Sequence, residues 1–156
     1  MQLRNFDDSD LEAIHAMDQI CFRRGIAYSR EELDWYAHHP AVLTVIAEDD
    51  FSLAGFAMAE ITKKRKESSG HVITIDVHPR ARRKGTGRML MAAIEDWLRQ
   101  HKIGSCSLEV AVDDPGALRF YRQIDYMQAG KLQGYYMGTL DAYVLRKSLT
   151  DSVAAL

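Results

Sequence analysis

The segment Arg82-Arg83-Lys84-Gly85-Thr86-Gly87 constrains the fold most, because it joins a strand-like run to the clearest helix in the chain. His71 to Val77 carries apolar residues at Val72, Ile73, Ile75 and Val77, and Pro79 ends it. Gly87 to Gln100 then places Met89, Leu90, Ala93, Ile94, Trp97 and Leu98 on one helical face. A helix start leaves several backbone N–H groups without intrahelical partners, and the helix dipole puts partial positive charge there. Glycines let a ligand approach the backbone closely. Arg82, Arg83, Lys84 and Arg88 add formal charge. Together these features describe a cradle for a pyrophosphate. The plainer alternative is a basic helix cap that holds nothing. The pattern GxxxxGK[ST] is absent, and GxGxxG fails because Leu90 stands where its third glycine would be. A nucleotide triphosphatase and a dinucleotide dehydrogenase are therefore disfavoured.

The rest of the chain surrounds this unit with alternating elements. Gln2 to Phe6 reads as a first strand. Ser9 to Glu12 has the spacing of a capping box, and Leu11, Ile14, Met17 and Cys21 follow at helical intervals. Gly25-Ile26-Ala27-Tyr28 breaks that helix. Ser29 to Glu32 is a second capping box, opening a short helix with Leu33, Trp35 and Tyr36 that Pro40 closes. Val42 to Ala47 and Leu53 to Ile61 read as strands, the second with an unusual internal Gly55. Thr62 to Gly70 reads as a connecting loop, with Lys63 to Lys66 as its solvated tip. Ser105 to Val110 is a further strand. Asp113-Asp114-Pro115 opens a helix containing Leu118, Phe120 and Tyr121, since Asp is a good N-cap and Pro suits the first turn. Met127 to Leu132 and Ala142 to Ser148 close the pattern. The expectation is an α/β (α+β) single domain over residues 1–149, with a mixed central sheet and helices on both faces, and a frayed tail over 150–156.

Composition narrows the function classes. The chain has 156 residues and a formal net charge of −2, which gives no global electrostatic case for nucleic acid. Cys21 and Cys106 sit in apolar patterns without CxxC or Cys/His metal spacing, so they read as reduced thiols and no metal is expected. The first residues lack the apolar region of a signal peptide, and no run approaches the roughly 20 apolar residues of a membrane span. The reading is a cytoplasmic protein with no membrane or nucleic-acid partner, a monomer or homodimer.

At this point the residues resemble the GNAT superfamily of N-acetyltransferases. That family's acetyl-CoA signature, [RQ]-x-x-G-x-[GA] after a strand, is matched by Arg82-x-x-Gly85-x-Gly87. Ile75-Asp76-Val77-His78-Pro79 before it and Arg88-Met89-Leu90 after it are similar to the family's flanks. So are Ser107-Leu108-Glu109-Val110 and Ala117-Leu118-Arg119-Phe120-Tyr121. The resemblance covers about residues 2–149. It is nearest the RimI-like branch, the ribosomal-protein-alanine acetyltransferases, which acetylate protein N-termini. Gly134-Tyr135-Tyr136, Asp141-Ala142 and Ala27-Tyr28-Ser29 also resemble that branch. Three positions depart from the pattern: Asp114 where the family usually has Asn, Ile124-Asp125-Tyr126 in place of Leu-Gly-Phe, and Lys84 at a position often Arg or Gly. Asp tolerates the left-handed conformation better than most residues.

The resemblance implies acetyl-CoA as co-substrate, with Ile75, Asp76, Val77, Arg82, Arg83, Lys84, Gly85, Thr86, Gly87, Arg88 and Asp114 in its site. It implies Glu109 as general base and Tyr121, twelve residues later, as general acid. The Val77 backbone N–H would polarise the thioester carbonyl. Tyr28, Tyr135 and Tyr136 would line the acceptor slot. A free α-amine, with a pKa of about 7.7–8.0, needs only a modest base, whereas a lysine at about 10.4 is harder to deprotonate. Taken by themselves, Glu109 reads as a salt-bridged strand carboxylate, Tyr121 as a core aromatic, and the other tyrosines as loop packing. The favoured acceptor is a peptide N-terminus. A small amine such as a polyamine, antibiotic or amino acid is the alternative, and a non-catalytic acyl-CoA-binding module is a reading of another class.

Overall fold

Residues 1–50 and 52–150 are described by a computed structural model. Residues 151–156 of the expected tail lie outside the described residues. The strands β1 (Gln2–Asn5), β2 (Val42–Glu48), β3 (Leu53–Lys64), β4 (Glu67–Val77), β5 (Ser105–Ala111), β6 (Met127–Tyr136) and β7 (Leu140–Ser148) form a mixed sheet in the order β1-β2-β3-β4-β5-β7-β6. The helices are α1 (Leu11–Cys21), α2 (Arg30–Ala37), α3 (Thr86–Gln100) and α4 (Pro115–Gln123). Two compact units divide the chain, Met1–Glu60 with Val72–Trp97, and Ile61–His71 with the chain from Leu98 onward.

In the first unit, β1, β2 and β3 pair antiparallel, with a bulge at Ala47/Glu48. Leu11, Ile14 and Met17 of α1 and Leu33 of α2 close over Ile46, Phe56, Met58 and Ile73 of the strands. Each such side chain contributes about 1.5–3 kcal/mol when removed from water. The expected box at Ser29 forms, with the Glu32 amide donating to Ser29 Oγ at 3.1 Å and the Ser29 amide to Glu32 Oε1 at 3.0 Å.

The box expected at Ser9–Glu12 does not form. Asp7 caps a short 3-10 helix over Asp8–Asp10, and Asp10 returns the bond by accepting from the Asp7 amide at 2.8 Å. The reason is tertiary. Arg4 on β1 grips both oxygens of Asp10 at 2.8 and 2.9 Å, and its Nε donates to Glu48 at 3.0 Å. That fork selects Asp10 over Glu12 as the acidic member of the cap.

Gly55 has a specific cause. A Cβ there would lie 2.6 Å from the Asp76 carbonyl oxygen. The strand interior excludes a side chain because the end of β4 comes this close.

In the second unit the expected loop over 62–70 is mostly strand. β3 continues to Lys64 and β4 resumes at Glu67, around a tip where Arg65 takes φ 59°. Thr62 and Ser69 bond across it, hydroxyl to hydroxyl, at 3.2 Å. Polar residues occupy these strand ends because most of their faces are solvated. The hairpin tip is where Lys63 to Lys66 was expected to put it. The start of β4 runs parallel to β5, with Gly70 opposite Cys106 and His71 opposite Ser107. β5 and β6 flank β7 antiparallel. Both closing strands extend beyond the sequence reading, so Tyr135 and Tyr136 stand on β6 rather than in a loop.

Candidate active site

The loop between β4 and α3 lies wholly in the first unit. His78 caps a 3-10 turn at Pro79–Ala81, its Nδ1 accepting from the Arg80 amide at 3.2 Å. Arg83 and Gly85 then take left-handed φ values of 62° and 81°. Such alternation turns successive amides toward one side and makes a concave anion site. Gly85 is needed for its φ, and open space surrounds the place a Cβ would occupy. Thr86 is buried and donates its hydroxyl to the Ala81 carbonyl at 3.1 Å, locking the loop's two ends together. The Met89 amide donates to Gly85 at 3.0 Å, so the amides of Thr86, Gly87 and Arg88 have no acceptor within the helix. Arg82, Arg83, Lys84 and Arg88 are exposed around them. Amides, helix start and cations thus fit a pyrophosphate-bearing donor.

Not every basic residue here faces a ligand. Arg80 is tied to Asp49, to Ser52 Oγ at 2.8 Å and to the Leu53 carbonyl at 3.2 Å. Arg82 Nε donates to the Val77 carbonyl at 3.0 Å, which folds the loop back on the end of β4. Ile75 and Val77 are partly exposed, but Asp76 is 1% exposed and accepts from Thr74 Oγ1 at 2.6 Å. The Asp76 side chain is therefore turned into the interior and is not presented to a donor. Tyr28 is half-buried, with its hydroxyl donating to the Ile73 carbonyl at 3.2 Å and its ring edge-on to Tyr36.

The second unit holds the expected acid and base. Glu109 projects from β5 and is 14% exposed at its side chain. Its Oε1 contacts His71 Nε2 at 2.7 Å and accepts from Tyr135 Oη at 3.1 Å. Tyr136 packs edge-on to Tyr135, and burial, then Glu109 and Asp114, push its phenol up to about 12. Tyr121 on α4 is buried, edge-on to Phe120 and Tyr126. Asp114 caps α4, accepting from the Ala117 amide at 3.1 Å. Asp125 adopts φ 74°, the left-handed conformation its position demands. The structure therefore brings Glu109, Tyr135 and Tyr136 together.

His71 was not among the expected site residues. It reaches Glu109 because β4 and β5 run parallel with His71 opposite Ser107, and no local spacing encodes that register. Among the described residues no group of three His, Cys, Asp or Glu side chains could hold a metal ion. Nor is any described helix long and apolar enough to cross a membrane.

A mixed seven-stranded sheet with a basic glycine turn feeding a helix start makes this an α/β fold suited to holding a phosphate-bearing ligand. Residues 11–126 match the model of the Acetyltransferase (GNAT) family, and the chain belongs to that family. It is an acetyl-CoA-dependent N-acetyltransferase. It is 29% identical over 126 residues to the N-alpha-acetyltransferase RimI of Mycobacterium tuberculosis, covering 80% of this chain and 75% of that one. An uncharacterised N-acetyltransferase of Methanocaldococcus jannaschii is 27% identical over 159 residues, covering 100% and 97%. Among solved structures, the ribosomal-protein-S18-alanine N-acetyltransferase from Escherichia coli superposes with a TM-score of 0.83 at 19% identity, covering 97% and 95%.

Proposed function

We propose that the chain transfers the acetyl group of acetyl-CoA to the α-amine of a peptide or protein N-terminus, with residues 1–149 acting as one domain. The observation that carries the acceptor side is the cluster at Glu109, where His71 and Tyr135 converge on one carboxylate oxygen. Those two contacts on Oε1 fix the orientation of the carboxylate, and a carboxylate so held can serve as a general base. The similarity to the N-alpha-acetyltransferase RimI favours an α-amine over a lysine.

Acetyl-CoA supplies a thioester whose carbonyl is open to an amine. The Arg82–Gly87 loop, with Arg88, holds its pyrophosphate through amides and cations. The Asp114 side chain caps α4 through Oδ1 and belongs with the donor-binding residues. Glu109 takes the proton from the attacking nitrogen as the C–N bond forms. The Val77 amide stabilises the negative charge that gathers on the carbonyl oxygen. As the C–S bond breaks, Tyr121 gives its hydroxyl proton to the departing sulfur. Tyr135 and Tyr136 flank the acceptor beside Glu109, and Tyr28 belongs to the acceptor-side loop.

The test is thiol release from acetyl-CoA with a panel of N-terminal peptides, lysine peptides and small amines. N-terminal peptides should give the highest kcat/KM. Glu109→Gln and Tyr121→Phe should each lower kcat by about 10²–10⁴-fold, the usual worth of a positioned acid or base, with little change in acetyl-CoA affinity. Full activity in both variants removes the role assignment, and preference for a small amine replaces the acceptor.

A further inference from the structure

The first unit buries two carboxyl groups that the chemistry above does not use. Asp18, in the last turn of α1, is 0% exposed, and Asp76, on β4, is 1% exposed. Asp18 Oδ2 accepts from the Tyr28 amide at 2.6 Å, and Asp76 Oδ1 accepts from Thr74 Oγ1 at 2.6 Å. With both groups ionised, the other two oxygens, Asp18 Oδ1 and Asp76 Oδ2, are buried without a partner. Two orphaned anionic oxygens buried together carry a heavy desolvation cost and repel each other. The two side chains lie within hydrogen-bonding reach. A single proton between them satisfies both orphans at once. Burial, and then the neighbouring Asp18, push the Asp76 carboxyl well above the usual carboxylate range.

The segment this bond serves is the connection between α1 and α2. Tyr28 is held at three points. Its amide donates to Asp18, its carbonyl accepts from Gln19 Nε2 at 3.1 Å, and its hydroxyl donates to the Ile73 carbonyl on β4. Ser29 next to it caps α2. Asp18 is thus bonded to the loop on one side and faces Asp76 of β4 on the other. Two further titratable groups face the pair. Cys21 on α1 has its thiol pushed up to about 11, by burial first and then by Asp76. Arg82, after β4, draws the Asp76 value down against the larger upward push.

We infer that Asp18 and Asp76 share one proton and that this buried bond makes them positioning residues, fixing Tyr28 and the α1–α2 loop for acceptor recognition. The acceptor half of this inference rests on the reading that the Tyr28 loop faces the acceptor. The pH sign follows from the direction of the shift. Asp76 is raised in the folded chain, so the bond is complete at and below the ordinary carboxylate range. It weakens as pH rises through the raised value, when two anions face each other between α1 and β4.

The experiment compares the wild type with Asp18→Asn and Asp18→Ala. In Asp18→Asn the amide nitrogen donates to Asp76 and the amide oxygen still accepts from Tyr28, so no shared proton is needed. Exchange of the Tyr28 amide is followed without any acceptor as pH is raised from the ordinary carboxylate range, with intrinsic base-catalysed exchange corrected for. The wild type should lose protection as pH rises, and Asp18→Asn should hold it. Equal loss in both, or in neither, overturns the shared proton. Acceptor kinetics use whichever amine the wild type acetylates. In Asp18→Ala, loss of a buried bond to an amide should raise the acceptor KM about tenfold while kcat and acetyl-CoA KM move less than about threefold. Asp18→Asn should restore the acceptor KM. An unchanged KM in Asp18→Ala overturns the positioning role. Failure of every peptide as acceptor refutes only the peptide reading, because the exchange experiment contains none.

Discussion

Gly55→Ala tests how tightly the donor loop is built against the sheet. The added Cβ would sit 2.6 Å from the Asp76 carbonyl oxygen, where ordinary contact begins near 3.4 Å, so about 0.8 Å must be recovered. The Leu90 and Thr86 side chains, at 3.3 and 3.4 Å, leave no slack on the helix side. The obstructing atom is backbone, one residue before Val77, and cannot swing aside as a side-chain end would. Overpacking of this kind costs about 1–3 kcal/mol. For a chain of this size that lowers Tm by about 2–4 °C per kcal/mol. The movement falls on the end of β4 and on Thr86, which together frame the donor loop, so the acetyl-CoA KM should rise as well. Thermal unfolding by circular dichroism and thiol-release kinetics read the two effects. A variant with wild-type Tm and wild-type acetyl-CoA KM would refute the reasoning, since it would mean β4 yields at no cost.

Three other outcomes follow from individual contacts. His71→Gln removes the group 2.7 Å from Glu109, and kcat should fall about tenfold with acetyl-CoA KM unchanged in steady-state assays, the effect expected on losing a hydrogen bond to a charged group. Asp114→Ala removes the α4 cap and should cost about 1 kcal/mol in denaturant unfolding, whereas Asp114→Asn should be nearly neutral. Arg4 holds the Asp10 carboxyl below its usual range, so that contribution is present above the ordinary carboxylate values and is lost as pH falls through the lowered one. Acid unfolding of Arg4→Met should therefore depend less on pH than that of the wild type.

How much of this was legible in the sequence depends on how local each cause is. The second capping box, the Asp114 cap and the left-handed Asp125 follow from residue type within a few positions, and each stands where expected. The first capping box misled because its acidic partner is chosen by Arg4 from another strand. The polar run from Thr62 to Gly70 hid strand for a similar reason: ladder bonds satisfy the backbone whatever the side chains face. Glu109 and Tyr121 were expected through family likeness. The contacts that orient Glu109, from His71 and Tyr135, lay beyond any spacing rule.

The sequence by itself determined the strand–loop–helix unit and with it the donor class, because glycine freedom, basic charge and a helix start are properties of adjacent residues. It also carried the helical and strand periodicities that build the sheet. Only the tertiary structure decided what surrounds Glu109 and Tyr121, why Gly55 must be glycine, and that Asp18 meets Asp76. Those facts depend on strand register and on burial. A carboxylate 58 residues from its partner in the chain (Asp18 and Asp76) acquires a shared proton only when folding takes both from water.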